Sequence, residues 1–293
     1  MTTTQKWIDT HVHIFPSSAP AEGLPKAKYG VNTPANYRKG NKPARPSGVV
    51  VVHFSKAADS RHVVKALDEM TRSGCKMPKT GVIKADVTLP ETFQWILRED
   101  VGAVRVYAKE SAPDFSDKAA WNRLWNLVRS QKKHVLVFGG APYLRDAIAN
   151  IPADLPLVID HLGLPDATKG GNDPYFNALL SDMVTRNKNS APVYYKGPGY
   201  RTSLDPKKVQ PFVNAIIKKL GADRLLLGAS DGPFAGPVTE TDVRYAGKNL
   251  TQIVDFDWIH NYTNLLAAGA KETGATADQL LYTNAAHFYG WEK

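Results

Sequence analysis

Residues 157–165, LVIDHLGLP, carry the pattern that decides the fold. A run of apolar residues ends at two polar ones, Asp160 and His161, and a turn containing Gly and Pro follows. Such a run is typical of a buried parallel strand, whose last residues lie at the carboxyl edge of the sheet. The stretch therefore predicts a strand with polar chemistry at its C-terminal end.

Seven other short runs of apolar or β-branched residues share this pattern, and segments with apolar residues at spacings of three and four lie between them. The other strands are predicted at residues 7–14, 48–54, 81–87, 103–107, 134–138, 193–196 and 224–228. Helices are predicted at residues 60–72, 117–129, 175–186 and 205–220. This alternation in 293 residues predicts an α/β fold, a closed (β/α)8 TIM barrel. An open doubly wound sheet is the alternative, although no glycine-rich phosphate-binding motif follows the first strand.

One long irregular segment, residues 16–47, follows the first predicted strand and is rich in Pro, Gly, Ala, Lys and Asn. In a barrel it would lie over the C-terminal mouth, where such loops act as lids. A disordered insertion without a role is the alternative. Because no repeat or second domain is evident, we expect residues 1–293 to form a single domain with the first βα loop as its lid.

The composition excludes several classes of protein. The chain is 43% hydrophobic and 22% charged, which is ordinary for a globular domain, and 37 basic against 28 acidic residues give a net charge of +9. The basic residues are scattered, so we expect an anionic small-molecule substrate and no nucleic acid. A single cysteine and the absence of a long apolar run predict a cytoplasmic protein that does not enter membranes. The oligomeric state is left open.

Candidate catalytic residues come from three strand ends. Asp9, His11 and His13 occupy alternate positions of the first strand, which predicts that they share one face toward the barrel interior. The eighth strand runs out into Ser230 and Asp231. In a barrel these residues meet His161 at one mouth. For Asp160 we favour a simpler role, the capping of a following turn.

Several motifs together resemble a known family, the amidohydrolase-related TIM-barrel proteins, and within it the 2-pyrone-4,6-dicarboxylate lactonases. The motifs are DTHVHIF (9–15), LVIDHLG (157–163), YYKGPGYRTS (194–203), GASDGP (228–233) and NAAHFYG (284–290). The resemblance implies a barrel in which a first-strand His pair, a sixth-strand His and an eighth-strand Asp surround a hydrolysable carbonyl. These positions match His11, His13, His161 and Asp231.

The resemblance also bears on the cofactor. Family members with two metals have a bridging Lys or Glu and further His ligands on the middle strands. This chain offers no such set, since His134 begins its strand and would face the opposite rim. We therefore expect either no metal, as in the pyrone-dicarboxylate lactonases, or one divalent ion. Zinc is the expected ion, held by His11, His13, His161 and Asp231.

Five residues are candidates for substrate binding: Arg105, Ser55, Tyr107, Lys196 and Arg201. Arg105 lies in an otherwise apolar strand, so it needs either a carboxylate within the protein or an anionic substrate group, and the resemblance favours the substrate. Lys196 and Arg201 flank a Gly-Pro-Gly turn, and solvated loop charges are the alternative for both. Ser55 follows its predicted strand, and Tyr107 ends its own. The nearby His53 is expected to be a core histidine whose hydrogen bonds are satisfied within the protein.

The chain departs from the lactonase pattern in three places. Leu164 replaces an Arg, and Glu110 or Ser111 replaces a basic residue beyond Arg105. After the eighth strand, residues 232–234, GPF, replace Trp-Pro-His, which would open space beside Asp231. A pocket built for two carboxylates has thus lost some of its basic partners, and we expect a substrate that bears one carboxylate.

The sequence therefore predicts a hydrolase that opens a carboxylate-bearing lactone, with Asp231 taking a proton from the attacking water. His11, His13 and His161 would stabilise charge on the carbonyl oxygen, either directly or by holding one metal ion. The alternatives are a zinc-dependent decarboxylase of an aromatic or enol carboxylate, a lactone isomerase, and a barrel that binds a ligand without turnover.

Overall fold

The computed structural model describes residues 5–19, 26–27, 30–41, 45–109, 111–140, 143–232 and 256–292. Eight strands form one parallel sheet in chain order: β1 (Asp9–Val12), β2 (Val49–Val52), β3 (Lys79–Lys84), β4 (Val101–Ala108), β5 (His134–Gly139), β6 (Leu157–Ile159), β7 (Val193–Lys196) and β8 (Leu225–Leu226). The Thr10 N–H donates to the Gly228 carbonyl at 2.9 Å, and Val12 bridges Gly232, which closes the sheet. The predicted (β/α)8 barrel is confirmed.

Helices follow most strands, and all of those described except the last lie around the outside of the barrel. They are α1 (Pro34–Gly40), α2 (Arg61–Arg72), α3 (Pro90–Trp95), α4 (Lys118–Ser130), α5 (Tyr143–Ala149), α6 (Pro174–Asn189), α7 (Pro206–Leu220), α8 (Phe256–Gly269) and α9 (Asn284–Tyr289). The four predicted helices correspond to α2, α4, α6 and α7. Helix α7 begins as its sequence indicates, because Asp205 accepts from the Lys207 N–H and Pro206 takes the first helical position. No described helix combines the length and apolarity that crossing a membrane requires.

Apolar side chains fill the lower part of the barrel interior. We call this cluster the barrel floor; its buried members are Ile8, Val50, Val52, Val82, Ala103, Leu136, Val158, Tyr194, Leu226, Ala285 and Ala286. The two alanines belong to α9, which closes the bottom of the barrel together with the partly buried Phe288, Tyr289 and Trp291. A second, larger apolar cluster includes residues of the strands and of the surrounding helices. The interior above the floor is therefore left for the polar strand ends.

The described part of the predicted lid segment lies beside the C-terminal end of β1. A two-residue ribbon pairs residues 26–27 with 30–31, and α1 follows it. Asn32 donates its side-chain amide to the His13 carbonyl at 2.8 Å, and the Phe15 N–H donates to the Asn32 carbonyl at 2.9 Å. These bonds fix the start of α1 next to the residues of the mouth.

Candidate active site

Side chains from three strand ends meet at the mouth of the barrel. The Oδ1 atom of Asp231, after β8, lies 3.5 Å from His11 Nε2, 3.7 Å from His13 Nε2 and 3.8 Å from His161 Nε2. All four residues are at most 3% exposed. We call them the histidine–aspartate cluster. The structure thus brings together the four residues that the sequence predicted as catalytic.

Hydrogen bonds on Nδ1 fix the orientation of His11, in β1, and of His13, directly after it. His11 Nδ1 lies 3.0 Å from Asp160 Oδ1, and His13 Nδ1 lies 2.8 Å from the Val52 carbonyl. Burial lowers the pKa of His11 well below its ordinary value and that of His13 to about 3, so both rings are neutral. Because a carboxylate and a carbonyl only accept, each Nδ1 carries the proton. Each Nε2 therefore presents a lone pair toward Asp231.

His161 is held differently from the other two histidines. Burial lowers its pKa to about 4, and its Nδ1 has no hydrogen-bond partner among the described residues. Its backbone lies in the left-handed region at φ 48°, as do those of Leu162 at 59° and Leu164 at 50°. Non-glycine residues take this conformation at a cost, and such strain is concentrated at functional sites. The turn after β6 therefore bears strain where it presents His161.

Asp231 is an ionised carboxylate whose two oxygens differ. Oδ2 accepts from Tyr200 Oη at 2.6 Å and from Arg201 Nε at 2.5 Å, whereas Oδ1 has no donor among the residues described. Burial acts to raise the pKa of Asp231, but the charge of Arg201 outweighs it and holds the pKa well below its ordinary value. One oxygen is thus anchored and the other is available.

Three members of the cluster fit a single divalent cation. The ligand atoms of His11, His161 and Asp231 all lie within 4.8 Å of one another. His11 Nε2 and Asp231 Oδ1 are buried Lewis bases that lack a hydrogen-bond partner in the described part of the chain. Two imidazoles and a carboxylate form a donor set that zinc accepts, with a fourth position for water or substrate. His13 was predicted as a fourth ligand and lies close to Asp231, but outside this set of three.

Asp160 links the cluster to two buried cations. It accepts from Arg105 NH2 at 2.5 Å, and its Oδ1 lies 3.5 Å from Lys196 Nζ as well as beside His11. Asp160 accepts from the His161 N–H at 3.2 Å in the turn that follows, as a capping residue does, but the fully buried carboxylate also has two cations as partners. Burial acts to raise its pKa, but the hydrogen bond from His11 and the charges of Lys196 and Arg105 hold the pKa well below its ordinary value.

Arg105 has a carboxylate partner within the protein, Asp160, which is the alternative to the substrate group that the resemblance favours. Besides Asp160, its NH1 donates to the His53 carbonyl at 2.9 Å and to Tyr107 Oη at 3.0 Å, while Nε has no partner among the described residues. Tyr107 Oη donates to the His53 carbonyl at 2.7 Å, and burial raises the pKa of Tyr107 to about 12. His53 Nδ1 is satisfied by Tyr107, but Nε2 has no partner in the described residues.

The two cations that flank the Gly-Pro-Gly turn are buried, so the alternative of solvated loop charges is wrong. Lys196 is 1% exposed and donates to the Thr10 carbonyl at 3.2 Å, and burial lowers its pKa to about 8. Arg201 is 6% exposed and holds Asp231. Together with Arg105 they are three buried cations at the mouth. Ser55, by contrast, is exposed.

Asp9 does not share the face of His11 and His13 as its spacing predicted. The register between β1 and β2 shifts between Asp9 and Val12, which breaks the simple alternation of side chains. Asp9 instead accepts from Tyr37 Oη at 2.8 Å and from Ser230 Oγ at 2.6 Å. Sequence reasoning also missed Tyr200, whose position next to Arg201 was the available signal.

The departures from the lactonase pattern have mixed outcomes. Gly232 does not open space beside Asp231, because the Phe256 ring fills the place that a side chain at position 232 would take. The expectation of open space beside Asp231 is therefore wrong at Gly232. Leu164 is buried and Ser111 is exposed. Glu110 and residues 233–234 lie outside the described residues.

Comparisons with known proteins agree with this geometry. A family model described as amidohydrolase matches residues 8–291. A 2-pyrone-4,6-dicarboxylate hydrolase from Comamonas testosteroni is 27% identical over 238 residues, which are 75% of this chain and 75% of that protein.

Two solved structures share the fold, both assigned as 2-pyrone-4,6-dicarboxylic acid hydrolases. The first, from Acinetobacter baumannii with citric acid bound, has a TM-score of 0.71 at 17% identity and covers 97% of this chain and 99% of its own. The second, from Pseudomonas putida, has a TM-score of 0.68 at 24% identity and covers 99% of each chain.

The family match spans His11, His13 and the aspartate after β8, and it extends through α9. The resemblance inferred from the motifs is confirmed, as is the prediction of a hydrolytic enzyme. This chain belongs to the amidohydrolase family.

Proposed function

We propose that this protein hydrolyses a lactone that bears a carboxylate. The observation that carries the proposal is the buried Asp231 Oδ1, which has no donor among the described residues and faces the Nε2 atoms of three histidines. An ionised oxygen in this position accepts a proton from a water molecule. The relative from Comamonas testosteroni supports the choice of reaction, because a 2-pyrone is a cyclic ester.

In the proposed reaction, Asp231 Oδ1 takes a proton from water as the water oxygen bonds to the lactone carbonyl carbon. The ring carbon–oxygen bond then breaks, and the same proton passes from Asp231 to the leaving oxygen. Tyr200 and Arg201 keep the other oxygen of Asp231 in place throughout. The net change is the addition of one water, which gives an acid and an alcohol or enol.

The tautomers of His11 and His13 support a role in holding a cation. His11 and His13 present lone pairs at Nε2, so they are not arranged to donate hydrogen bonds to a developing oxyanion. Because its pKa is low, Asp231 is also a weak base, so a Lewis acid is expected beside it. A single zinc ion held by His11, His161 and one lone pair of Asp231 Oδ1 would supply that acidity and leave the other lone pair of this oxygen for the proton.

We assign recognition of the substrate carboxylate to the three buried cations at the mouth. These cations are Arg105, Lys196 and Arg201. The exposed Ser55 and the half-buried Tyr107 would contact the substrate from the rim. Leu164 and Ser111 stand where the related lactonases have basic residues, so partners for a second carboxylate are missing. A monoanionic lactone is therefore the expected substrate, in contrast to the dicarboxylate named for the relative.

The test is turnover of a panel of neutral, monocarboxylate and dicarboxylate lactones, with elemental analysis of the same preparation. We expect the highest kcat/KM for a monocarboxylate and no more than about one metal ion per chain, because the cluster has one set of three ligands. Lack of ring opening across the panel would contradict the proposal. Two tightly bound ions would contradict the assignment of the cluster as a mononuclear site.

A zinc-dependent decarboxylase is the second candidate, because the same ligand set would serve it. It requires the metal and releases carbon dioxide, whereas a lactonase releases none. A lactone isomerase would give a product that is still a ring, and a non-catalytic barrel would bind without turnover. Analysis of the product separates all four.

A further inference from the structure

A buried carboxylate outside the histidine–aspartate cluster has four donors and no part in the proposed chemistry. Asp9 is fully buried, and it accepts from the Ser230 N–H at 2.8 Å and from Ser230 Oγ at 2.6 Å. Tyr37 Oη, on α1, donates to it at 2.8 Å, and the His11 N–H donates at 3.3 Å. Asp9 thus ties together β1, the segment after β8 and α1.

The segment that Asp9 holds carries the reacting carboxylate. Ser230 directly precedes Asp231, and its Oγ accepts from the Gly232 N–H at 3.2 Å. The Asp231 N–H donates to the His11 carbonyl at 2.6 Å. Asp231 itself lies in the left-handed region at φ 46°, which a non-glycine residue adopts only when its surroundings impose it. The bonds on Ser230 are the surroundings that impose it here.

We infer that Asp9 is a positioning residue for Asp231, acting through Ser230, and that it transmits the docking of α1 to the active site. Ser230 contributes both its amide and its hydroxyl to Asp9, so the residue before Asp231 cannot rotate without breaking two buried hydrogen bonds. Tyr37 fixes the same carboxylate from α1. The catalytic consequence rests on the proposed function, whereas the positioning itself does not.

A matched control, Asn284, lies at the opposite end of β8 from the segment that Asp9 holds. Asn284 donates its side-chain amide to the Ala222 carbonyl at 2.7 Å and to the Leu225 carbonyl at 2.8 Å, and it is 6% exposed. It therefore anchors the bottom of β8 as Asp9 anchors the segment beyond its top. Removing either side chain costs buried hydrogen bonds, but only Asp9 lies beside the cluster.

The experiment compares Asp9→Ala, Asp9→Asn, Ser230→Ala and Asn284→Ala by hydrogen exchange at the amides of residues 230 and 231 and by kcat. Asp9→Ala should speed exchange at both amides by at least about tenfold and lower kcat by about a hundredfold, with a smaller change in KM. Asp9→Asn should recover part of both, because its oxygen still accepts from the amides and both hydroxyls can turn to accept from its NH₂. Asn284→Ala should change neither by more than about twofold.

The inference is overturned if Asp9→Ala and Asn284→Ala destabilise the fold alike and exchange at residues 230 and 231 is unchanged in both. It is also overturned if Asp9→Asn is no better than Asp9→Ala. Should Asp9→Ala fail to fold, Ser230→Ala decides, because it removes only the hydroxyl link and should speed exchange at residue 231. If the wild type opens no lactone, the proposed function fails, but the exchange rates still test the positioning.

Discussion

The mouth and the floor occupy the same barrel interior and differ in nearly every property. The floor is built of aliphatic side chains such as Val50 and Leu136, each contributing about 1.5–3 kcal/mol on burial without needing a particular partner. The mouth buries Arg105, Lys196 and Asp160, whose charges are tolerated only because each has a partner. The side chains that stabilise the fold and those that carry the chemistry therefore lie at different levels along the barrel axis.

The largest effect is expected at Asp231 Oδ1, a carboxylate oxygen of the mouth that has no donor among the described residues. Asp231→Asn should lower kcat by about a thousandfold or more and keep ligand affinity within about tenfold, because an amide cannot take the proton but preserves the shape. Steady-state kinetics and ligand titration check this. The control is Asp223→Asn, an exposed carboxylate just before β8, and its kcat should match the wild type. A near-wild-type rate for Asp231→Asn would refute the assignment of the base.

A change in the floor should have the opposite profile. Leu136→Ala should lower the free energy of unfolding by about 3 kcal/mol, because Leu136 is 1% exposed and its loss leaves a cavity. Its kcat should stay within about twofold of the wild type. Denaturant unfolding and kinetics on one preparation measure both. A tenfold loss of kcat with unchanged stability would show that the two regions are not separated.

Arg105 tests how far the mouth serves the substrate. Arg105→Ala should lower kcat/KM for a monocarboxylate lactone by about a hundredfold, and Arg105→Lys should recover only part, since a point charge does not reproduce a planar donor group. Arg98→Ala, which removes a surface guanidinium paired with Asp68 and Asp100, is the control. If a neutral lactone suffers the same loss, Arg105 acts through Asp160 and not on the substrate.

The smallest effect is a pH dependence at the lower rim. His134, at the start of β5, packs against Phe288 and Tyr289, and burial lowers its pKa to about 3. The unfolded chain binds a proton at this residue below about pH 6.5, whereas the folded chain does not, so stability falls as the pH drops from 6.5 toward 3. At pH 5 the loss is about 2 kcal/mol.

The comparison of His134→Gln with the wild type isolates this contribution. Denaturant unfolding of both at pH 7 and pH 5 should show a smaller loss on acidification for the variant by about 2 kcal/mol. Equal losses in the two proteins would show that His134 is protonated without penalty in the folded state.

Much of the barrel followed from the sequence, and the reasons are local. Apolar runs such as residues 157–159 mark buried parallel strands, and polar residues at their ends must lie at one mouth, which located Asp231 and His161. The partners of Asp160 could not be predicted, because pairing among buried charges depends on which strand ends face each other. The face on which Asp9 lies could not be predicted either. The alternating pattern assumes a regular strand, and the register shift in β1 moves the side chain to a different face.

The product formed from a carboxylate-bearing 2-pyrone in oxygen-18-labelled water tests the central claim most directly. Hydrolysis at the mouth predicts a product heavier than the substrate by one water, with a single heavy oxygen in the new carboxyl group, and no such product from Asp231→Asn. A product of unchanged mass that is still a ring, or one that has lost carbon dioxide, would contradict lactone hydrolysis.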